Sequence, residues 1–266
     1  ENETLSEYMD KINEYLPETL AYKVNSGEIP IGSYIKYTPD TVNEETLNKL
    51  IEELGTYSGS EANTKETLKQ EMELNWRVLD VKDGQVRLIS DVATTSTIAI
   101  KGYNGYNNAV YLLDDICNKL YNNSKLTNKV QNLKIEDIEQ YLKDKIVVSE
   151  NKISPAGIKY PQIVEQEENQ TINNITGTLK PSEQTELINQ TEVKIATSSS
   201  LKRTYKWKKL NEESFKNSKY YTMFFNDGEN TKRYWLSTRE IYTASDYATF
   251  GIGCLRVWNY RWTTFV

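Results

Sequence analysis

The stretch 75–90, NWRVLDVKDGQVRLIS, constrains the fold most, because it predicts one particular pair of strands. Two runs rich in β-branched and aromatic residues flank Asp83 and Gly84, and an Asp-Gly pair favours a tight hairpin turn. Apolar side chains occupy alternate positions along both runs: Trp76, Val78, Val86 and Leu88. We therefore predict two antiparallel strands that bury one face, with Trp76 in the core.

Several other segments have the periodicity of amphipathic helices. Capping boxes at Thr4-x-x-Glu7 and Thr41-x-x-Glu44 predict two helix starts, and Gly55 predicts the end of the second helix. The segments 102–123 and 135–144 predict a long helix and a short one. A short strand is predicted at 34–37. The predicted apolar stripes are Leu5, Met9, Ile12 and Leu16; Leu47, Leu50, Ile51 and Leu54; and Ala109, Leu113, Ile116, Cys117 and Leu120.

These elements predict an α+β fold in which helices mix with antiparallel sheet. We expect an N-terminal helical segment over residues 1–30 and a single domain over 31–266. Residues 150–200 contain few large apolar side chains, so we interpret them as a polar insertion. Short ordered pieces are expected within that insertion at 171–179, TINNITGTL.

Charge and aromatic residues are distributed unevenly along the chain. The net charge is −6, which argues against nucleic acid as a partner because phosphate binding needs a basic surface. Residues 201–266 nevertheless contain sixteen of the 29 aromatic residues and four of the five tryptophans, and they carry twelve Lys or Arg against six Asp or Glu. The net charge of this segment is about +6, and that of the remainder of the chain is about −12. Such an asymmetry indicates a contact surface near the C-terminus.

The chain has no histidine, which removes the commonest general base and the commonest metal ligand. Two isolated cysteines, Cys117 and Cys254, cannot build a zinc site without histidine, so we expect no bound transition metal and no cofactor. No phosphate-binding loop and no run long enough for a membrane span is present. The adjacent carboxylates Asp114 and Asp115 leave a two-acid glycosidase open, but neighbours on a helix point about 100° apart. We therefore expect a protein that is not an enzyme.

Motifs along most of the chain resemble those of a group of clostridial and related Firmicutes proteins of uncertain function. The resemblance rests on WRVL at 76–79, VRLIS at 86–90, GYNGYNNAV at 102–110 and YWLSTR at 234–239. It covers roughly residues 31–256. Some members of that group carry a prepilin-like hydrophobic N-terminal helix, and others occur beside prophage genes.

The late segment also resembles C-type-lectin-like folds, including formylglycine-generating enzymes and the variable proteins of diversity-generating retroelements. This resemblance implies a C-type-lectin-like C-terminal part whose tryptophan-rich strands carry the ligand-facing residues. Tyr260 stands where calcium-dependent lectins have an aspartate, so calcium-mediated sugar binding is not implied. Only Cys254 lies in the part that would hold the cysteine pair of formylglycine-generating enzymes, so that catalysis is not implied either.

Candidate ligand-binding residues lie in this C-terminal part, because tyrosine and tryptophan give rigid contact area while serine, aspartate and arginine add polar contacts. They are Arg239, Tyr242, Ser245, Asp246, Tyr247, Arg256, Trp258, Tyr260, Arg261 and Trp262.

The alternative for these residues is burial, because a strand with a period of two hides one side of its chain. We expect at least one of Trp258 and Trp262 to be core, and Trp76 and Trp235 are interpreted as core rather than site. Arg239 and Arg256 have a second interpretation, in which they close sheet edges.

Two functions fit the sequence. The first is a ligand-binding or adhesion protein at the cell surface, outside the cell or on a virion, which contacts a protein or a glycan. It would include the variable protein of a diversity-generating retroelement. The second is a pilin-like structural subunit that lacks its hydrophobic N-terminal helix. Residues 1–16 would then continue that helix, and the subunit would form an oligomer. The first residue, Glu1, is not Met, which predicts a trimmed or processed N-terminus.

Overall fold

The computed structural model describes residues 11, 15, 18–60, 68–141, 186–189, 213–225, 234–243 and 248–255, together with short strands between 162 and 194 and at 264–265. The helices are α1 (Leu20–Asn25), α2 (Glu44–Tyr57), α3 (Gly102–Tyr121), α4 (Ile135–Glu139), α5 (Glu213–Lys216) and α6 (Tyr221–Phe225). The strands are β1 (Tyr34–Ile35), β2 (Trp76–Lys82), β3 (Gln85–Ser90), β4 (Gln162–Glu165), β5 (Thr171–Ile172), β6 (Ile175–Thr176), β7 (Thr178–Lys180), β8 (Val193–Lys194), β9 (Tyr234–Thr243), β10 (Ala248–Leu255) and β11 (Thr264–Phe265).

The described strands form antiparallel sheets in the orders β1-β2-β3, β11-β10-β9, β4-β7-β8 and β5-β6. Together with the helices they confirm the predicted α+β class. The strands β5, β6 and β7 lie within or next to the segment 171–179, so the ordered pieces expected in the polar stretch are present. Among the described residues, no helix combines the length and the apolar character that a membrane span requires.

The chain divides into two compact units. The first comprises Glu1–Tyr37, Glu73–Val92 and Asn217–Asn226, and the second comprises Thr38–Met72, Ala93–Lys216 and Asp227–Val266. Each unit is therefore assembled from segments that are distant in the chain. The division at residue 30 that we drew from the sequence stays a prediction.

The hairpin β2–β3 is the centre of the first unit and confirms the predicted strand pair. Asp83 and Gly84 have φ angles of 50° and 73°, the left-handed conformations that a tight hairpin turn needs. The register shifts between Val78 and Asp80, so two neighbouring residues, Val78 and Leu79, are both buried. Other buried residues of this unit are Val24, Met223, Phe224 and Phe225.

Trp76 departs from its predicted place in the core. It is half-buried rather than buried. It is the first residue of β2 and pairs with Ile35 of the two-residue strand β1. Its ring forms part of the wall of an open cleft, which involves residues 34–37 and 73–76.

The second unit is built on α3. Its buried face includes four of the five predicted stripe residues, Ala109, Leu113, Ile116 and Leu120, whereas Cys117 is only partly buried. Helix α3 packs against α2 and against the sheet of β9 and β10, where Leu236 and Ile252 are fully buried. This packing fixes the position of the C-terminal strands.

Two predicted helix boundaries are wrong. Asn43, not Thr41, caps α2, because its side chain accepts a hydrogen bond from Thr46 N at 2.9 Å. Gly55 lies inside α2, which continues to Tyr57 because its last turn packs on α3 and outweighs the low helix propensity of one glycine. The predicted capping box at Thr4 lies outside the described residues. The short helix predicted at 135–144 is described as α4, Ile135–Glu139.

Candidate functional site

The strands β9 and β10 bring the start of the predicted binding segment onto a fixed scaffold. They pair from Tyr234↔Leu255 to Thr243↔Ala248. Four residues, 244–247, therefore connect the last paired positions of the hairpin, and three of them are sequence candidates. The paired strands therefore fix the two ends of this connection, Thr243 and Ala248.

The edge of β9 that faces away from β10 is held by the segment before α4. Ser237 N donates to the Leu133 carbonyl at 2.9 Å, and Ile135 N donates to Thr238 Oγ1 at 3.1 Å. Asn132 Nδ2 donates to the Trp235 carbonyl at 2.9 Å. These bonds use polar groups that an edge strand otherwise leaves open to pairing with another chain.

Arg239 connects β9 to the first turns of α3. Its Nε donates to the Tyr106 carbonyl at 3.1 Å, and its Nη2 donates to the Asn107 carbonyl at 2.6 Å. Carbonyls this early in a helix already accept bonds from within the helix, so the guanidinium adds a second, charge-assisted partner. The residue is 8% exposed.

Two tyrosines of α3 flank the Arg239 guanidinium. Its Cζ lies 5.9 Å from the ring centroid of Tyr106 and 5.5 Å from that of Tyr111. Tyr106 is buried and Tyr111 is exposed, so the cation–π contacts of Arg239 extend from the core to the surface. Arg239 is therefore engaged in structural contacts with α3. Its predicted role in ligand binding and the alternative that it closes a sheet edge both stay predictions.

The structure describes one of the remaining nine candidates. Tyr242 lies in β9 opposite Thr249. The other eight lie outside the described residues: Ser245, Asp246, Tyr247, Arg256, Trp258, Tyr260, Arg261 and Trp262. Trp235, interpreted from the sequence as core, is half-buried, and its indole Nε1 donates to the Ile98 carbonyl at 2.9 Å.

Acidic and thiol groups near this scaffold are engaged in structural contacts. Asp114 accepts a hydrogen bond from Asn132 N at 3.2 Å and pairs with Lys134 at 3.0 Å. Burial, together with the nearby Asp114 charge, raises the pKa of the free Cys117 thiol to about 12. Within the described part of the chain, no group of three metal-ligating side chains comes together.

One buried polar residue, Asn108, was missed by the sequence analysis. Its carboxamide contacts three backbone groups from two distant segments. The asparagines of GYNGYNN, at the start of an otherwise apolar helix, could have indicated a buried polar contact, because a buried asparagine needs specific hydrogen-bond partners. The partners themselves are not encoded in any local pattern.

Comparison with protein families, curated proteins and solved structures found nothing that matches this chain.

Proposed function

We propose that this chain is a non-enzymatic ligand-binding or adhesion protein whose C-terminal segment contacts a protein or a glycan. The observation that carries the proposal is the anchoring of the β9–β10 hairpin, which pairs up to Thr243 and Ala248 and is tied to α3 by the buried Arg239. Binding residues are commonly found on connections that a rigid scaffold positions. The connection 244–247 contains Ser245, Asp246 and Tyr247.

The chemistry of the segment after Ala248 supports the same proposal. Residues 256–262 contain Arg256, Trp258, Tyr260, Arg261 and Trp262. Aromatic and arginine side chains dominate the energetics of protein interfaces because they combine large contact area with directional polar groups. We extend the proposal to a C-type-lectin-like arrangement of this part and to a variable protein of a diversity-generating retroelement. We further propose that the protein acts at a cell or virion surface.

Catalysis is the less favoured function. The chain has no histidine, and Asp114, one of the two adjacent carboxylates on α3, is bound to Lys134 and to the backbone at Asn132. A carboxylate whose oxygens are engaged by a lysine and a backbone N–H is poorly placed to take a proton from a substrate.

The proposal is tested by a triple substitution, Tyr242→Ala, Tyr247→Ala and Trp258→Ala. The wild-type protein is first screened on an array of bacterial and host glycans and on a library of displayed surface proteins. We expect the triple variant to lose at least about tenfold in affinity for the ligand found, which corresponds to about 1.4 kcal/mol. Tyr103→Ala, which removes an exposed tyrosine of α3, is the matched control and should bind like the wild type.

Thermal unfolding separates loss of binding from loss of folding. A triple variant that melts within a few degrees of the wild type and no longer binds supports the proposal. Unchanged affinity in a folded triple variant would contradict it. Head-to-tail filaments formed by the wild type, with no ligand on either screen, would favour the pilin-like alternative.

A further inference from the structure

The strand β3 forms one edge of the sheet β1-β2-β3, and the described part of the chain places no strand on its outer side. Asp91 N donates to the Asn75 carbonyl at 2.8 Å, so the backbone groups of the odd-numbered residues along β3 point toward β2. The backbone groups of Val86, Leu88 and Ser90 therefore point away from β2. No backbone hydrogen bond joins these three residues to another described segment, so the edge is open to pairing.

This edge lacks the features by which sheets usually block such pairing. The six residues of β3 include no proline and no lysine, and the bulge of this hairpin lies in β2, between Val78 and Asp80. The one charged residue of the strand is Arg87, whose Nε donates to Asp80 Oδ1 at 2.6 Å within the same sheet. The opposite edge is β1, which is only two residues long. Of the two edges, β3 is therefore the one with enough length to pair with another chain.

One face of the sheet carries charges of both signs near this edge. Cross-strand partners share a face, so Arg87 lies beside Asp80, and Ile89 lies beside Arg77. Asp91 continues the same face and pairs with Arg77 at 3.6 Å. The side chains of Arg87 and Asp91 remain 26% and 19% exposed. A basic and an acidic side chain therefore lie four residues apart, on either side of Ile89.

This spacing makes β3 complementary to itself in one antiparallel register. Two copies related by a two-fold axis at Ile89 place Arg87 of each copy opposite Asp91 of the other, and Ile89 opposite Ile89. An axis at Arg87 would instead bring two arginines together, which is destabilising. An axis at Leu88 would leave the arginine opposite an isoleucine. Of these three registers, the axis at Ile89 is the one that pairs opposite charges.

The same register satisfies the open backbone groups. Leu88 of each copy lies opposite Ser90 of the other, and both present N–H and C=O groups to the interface, so each such pair exchanges two hydrogen bonds. Next to it, Val86 lies opposite Val92, an apolar residue that is 47% exposed in the single chain. Two three-stranded sheets then become one continuous sheet with the strand order β1-β2-β3-β3-β2-β1.

We propose that β3 is a dimerisation edge, on which a second copy of this chain pairs antiparallel about a two-fold axis at Ile89. A self-complementary contact of this kind closes on itself, so it yields a dimer and not a filament. A peptide from another protein is the less favoured occupant, because it would have to match a pattern of charges that a second copy already matches. The inference does not depend on the C-terminal proposal, since the C-terminal triple variant leaves β3 unchanged.

Cysteine cross-linking in the full chain tests the register. The background Cys117→Ala and Cys254→Ser removes the native thiols. Antiparallel partners that do not hydrogen-bond to each other have Cα atoms about 4.5 Å apart, a distance that a disulfide can span. With diamide as the oxidant, Ile89→Cys should convert most of the protein into a covalent dimer on a non-reducing gel. Gln85→Cys, an exposed position on the same face of β3 but away from the axis, is the matched control and should stay monomeric.

Sedimentation velocity measures the dimer in the absence of a cross-link. We expect reversible dimerisation of the wild type with a dissociation constant at or below about 100 μM. Ile89→Glu and Ile89→Lys should each weaken it at least about tenfold, because like charges then meet at the axis. An equimolar mixture of these two variants should regain a dimer, since glutamate then lies opposite lysine.

A proline substitution tests the backbone pairing. Ser90→Pro removes an outward N–H but no hydrogen bond to β2, so it should weaken dimerisation at least about tenfold and leave the fold intact. A thermal midpoint close to that of the wild type shows that each variant is folded.

Three results would overturn the inference. They are a wild-type protein that stays monomeric at concentrations well above the expected constant, a folded Ser90→Pro variant that dimerises like the wild type, and cross-linking at Gln85→Cys as extensive as at Ile89→Cys. Wild-type filaments in place of dimers would also overturn it and would favour the pilin-like alternative. Because the C-terminal triple variant retains β3, its dimerisation tests this inference separately from ligand binding.

Discussion

Asn108 and Ile188 are joined across eighty residues of chain by a hydrogen bond in which Ile188 N donates to Asn108 Oδ1 at 2.9 Å. The amide nitrogen of the same side chain donates to the Glu186 carbonyl at 2.7 Å and to the Tyr57 carbonyl at 3.3 Å. Asn108 is fully buried. One carboxamide therefore fixes the segment 186–189 and the end of α2 to the central helix.

Asn108→Ala is expected to lower the free energy of unfolding by about 3 kcal/mol, because it leaves buried backbone groups without their partner. Asn104→Ala, one turn earlier on the same helix, removes a weaker and more exposed bond to the Thr56 carbonyl and should cost less than about 1 kcal/mol. Urea unfolding of both variants measures the difference. Equal losses would show that the Asn108 bonds contribute little.

Arg239→Lys should destabilise the protein although it keeps the charge. A lysine ammonium cannot reproduce the fixed fork that reaches both the Tyr106 and Asn107 carbonyls. We expect a loss of about 2 kcal/mol for Arg239→Lys and about 3 kcal/mol for Arg239→Met. Lys119→Met, an exposed position on α3, should change stability by less than about 0.5 kcal/mol. A contact residue with no structural role would instead leave chemical unfolding unchanged.

Gly59 and Gly84 form a matched pair for testing steric crowding, since both have a φ of 73°. A Cβ at Gly84 would meet nothing within 4 Å, so Gly84→Ala should cost only the backbone strain, about 1 kcal/mol. A Cβ at Gly59 would lie 1.8 Å from the Lys101 carbonyl oxygen, which belongs to the backbone and cannot rotate away. Gly59→Ala should therefore lose several times more stability in the same denaturant titration, and similar losses would contradict this packing.

The Cys117 thiol should be unreactive in the folded protein. Its pKa is raised to about 12 by burial and by the Asp114 charge, so almost no thiolate is present near pH 8. In a Cys254→Ser background, a disulfide reagent should label Cys117 slowly in buffer and rapidly in urea. Rapid labelling of the folded protein would contradict the raised pKa of this thiol.

The same thiol should make stability depend on pH in the alkaline range. The folded state holds the proton up to about pH 12, whereas the unfolded thiol loses it near its ordinary pKa of 9.0. The contribution of Cys117 is therefore complete below pH 9.0 and decreases as the pH rises toward about 12. Cys117→Ala should show a smaller alkaline decrease than the wild type in urea titrations at matched pH values. Parallel curves would mean that other groups cause the decrease.

Local patterns predicted the elements that local physics controls. The hairpin at 75–90 follows from alternation and from the left-handed conformations that Asp83 and Gly84 tolerate. The buried face of α3 follows from the spacing of Ala109, Leu113 and Ile116. The predicted cap at Thr41 failed because Asn43 competes for the same role two residues later, and a local pattern does not rank the two.

The sequence by itself determined the α+β class, the main hairpin and the aromatic, basic character of the C-terminal segment, since these depend on residues close together in the chain. Only the tertiary structure decided which polar and aromatic residues lie inside. Arg239 is buried because α3 presents two carbonyls and two rings to it. Trp76 is half-buried, although its place in the alternating pattern is that of a core residue. Whether a side chain is buried depends on which distant segment packs against it. An alternating pattern shows only which residues lie on the same face of a strand.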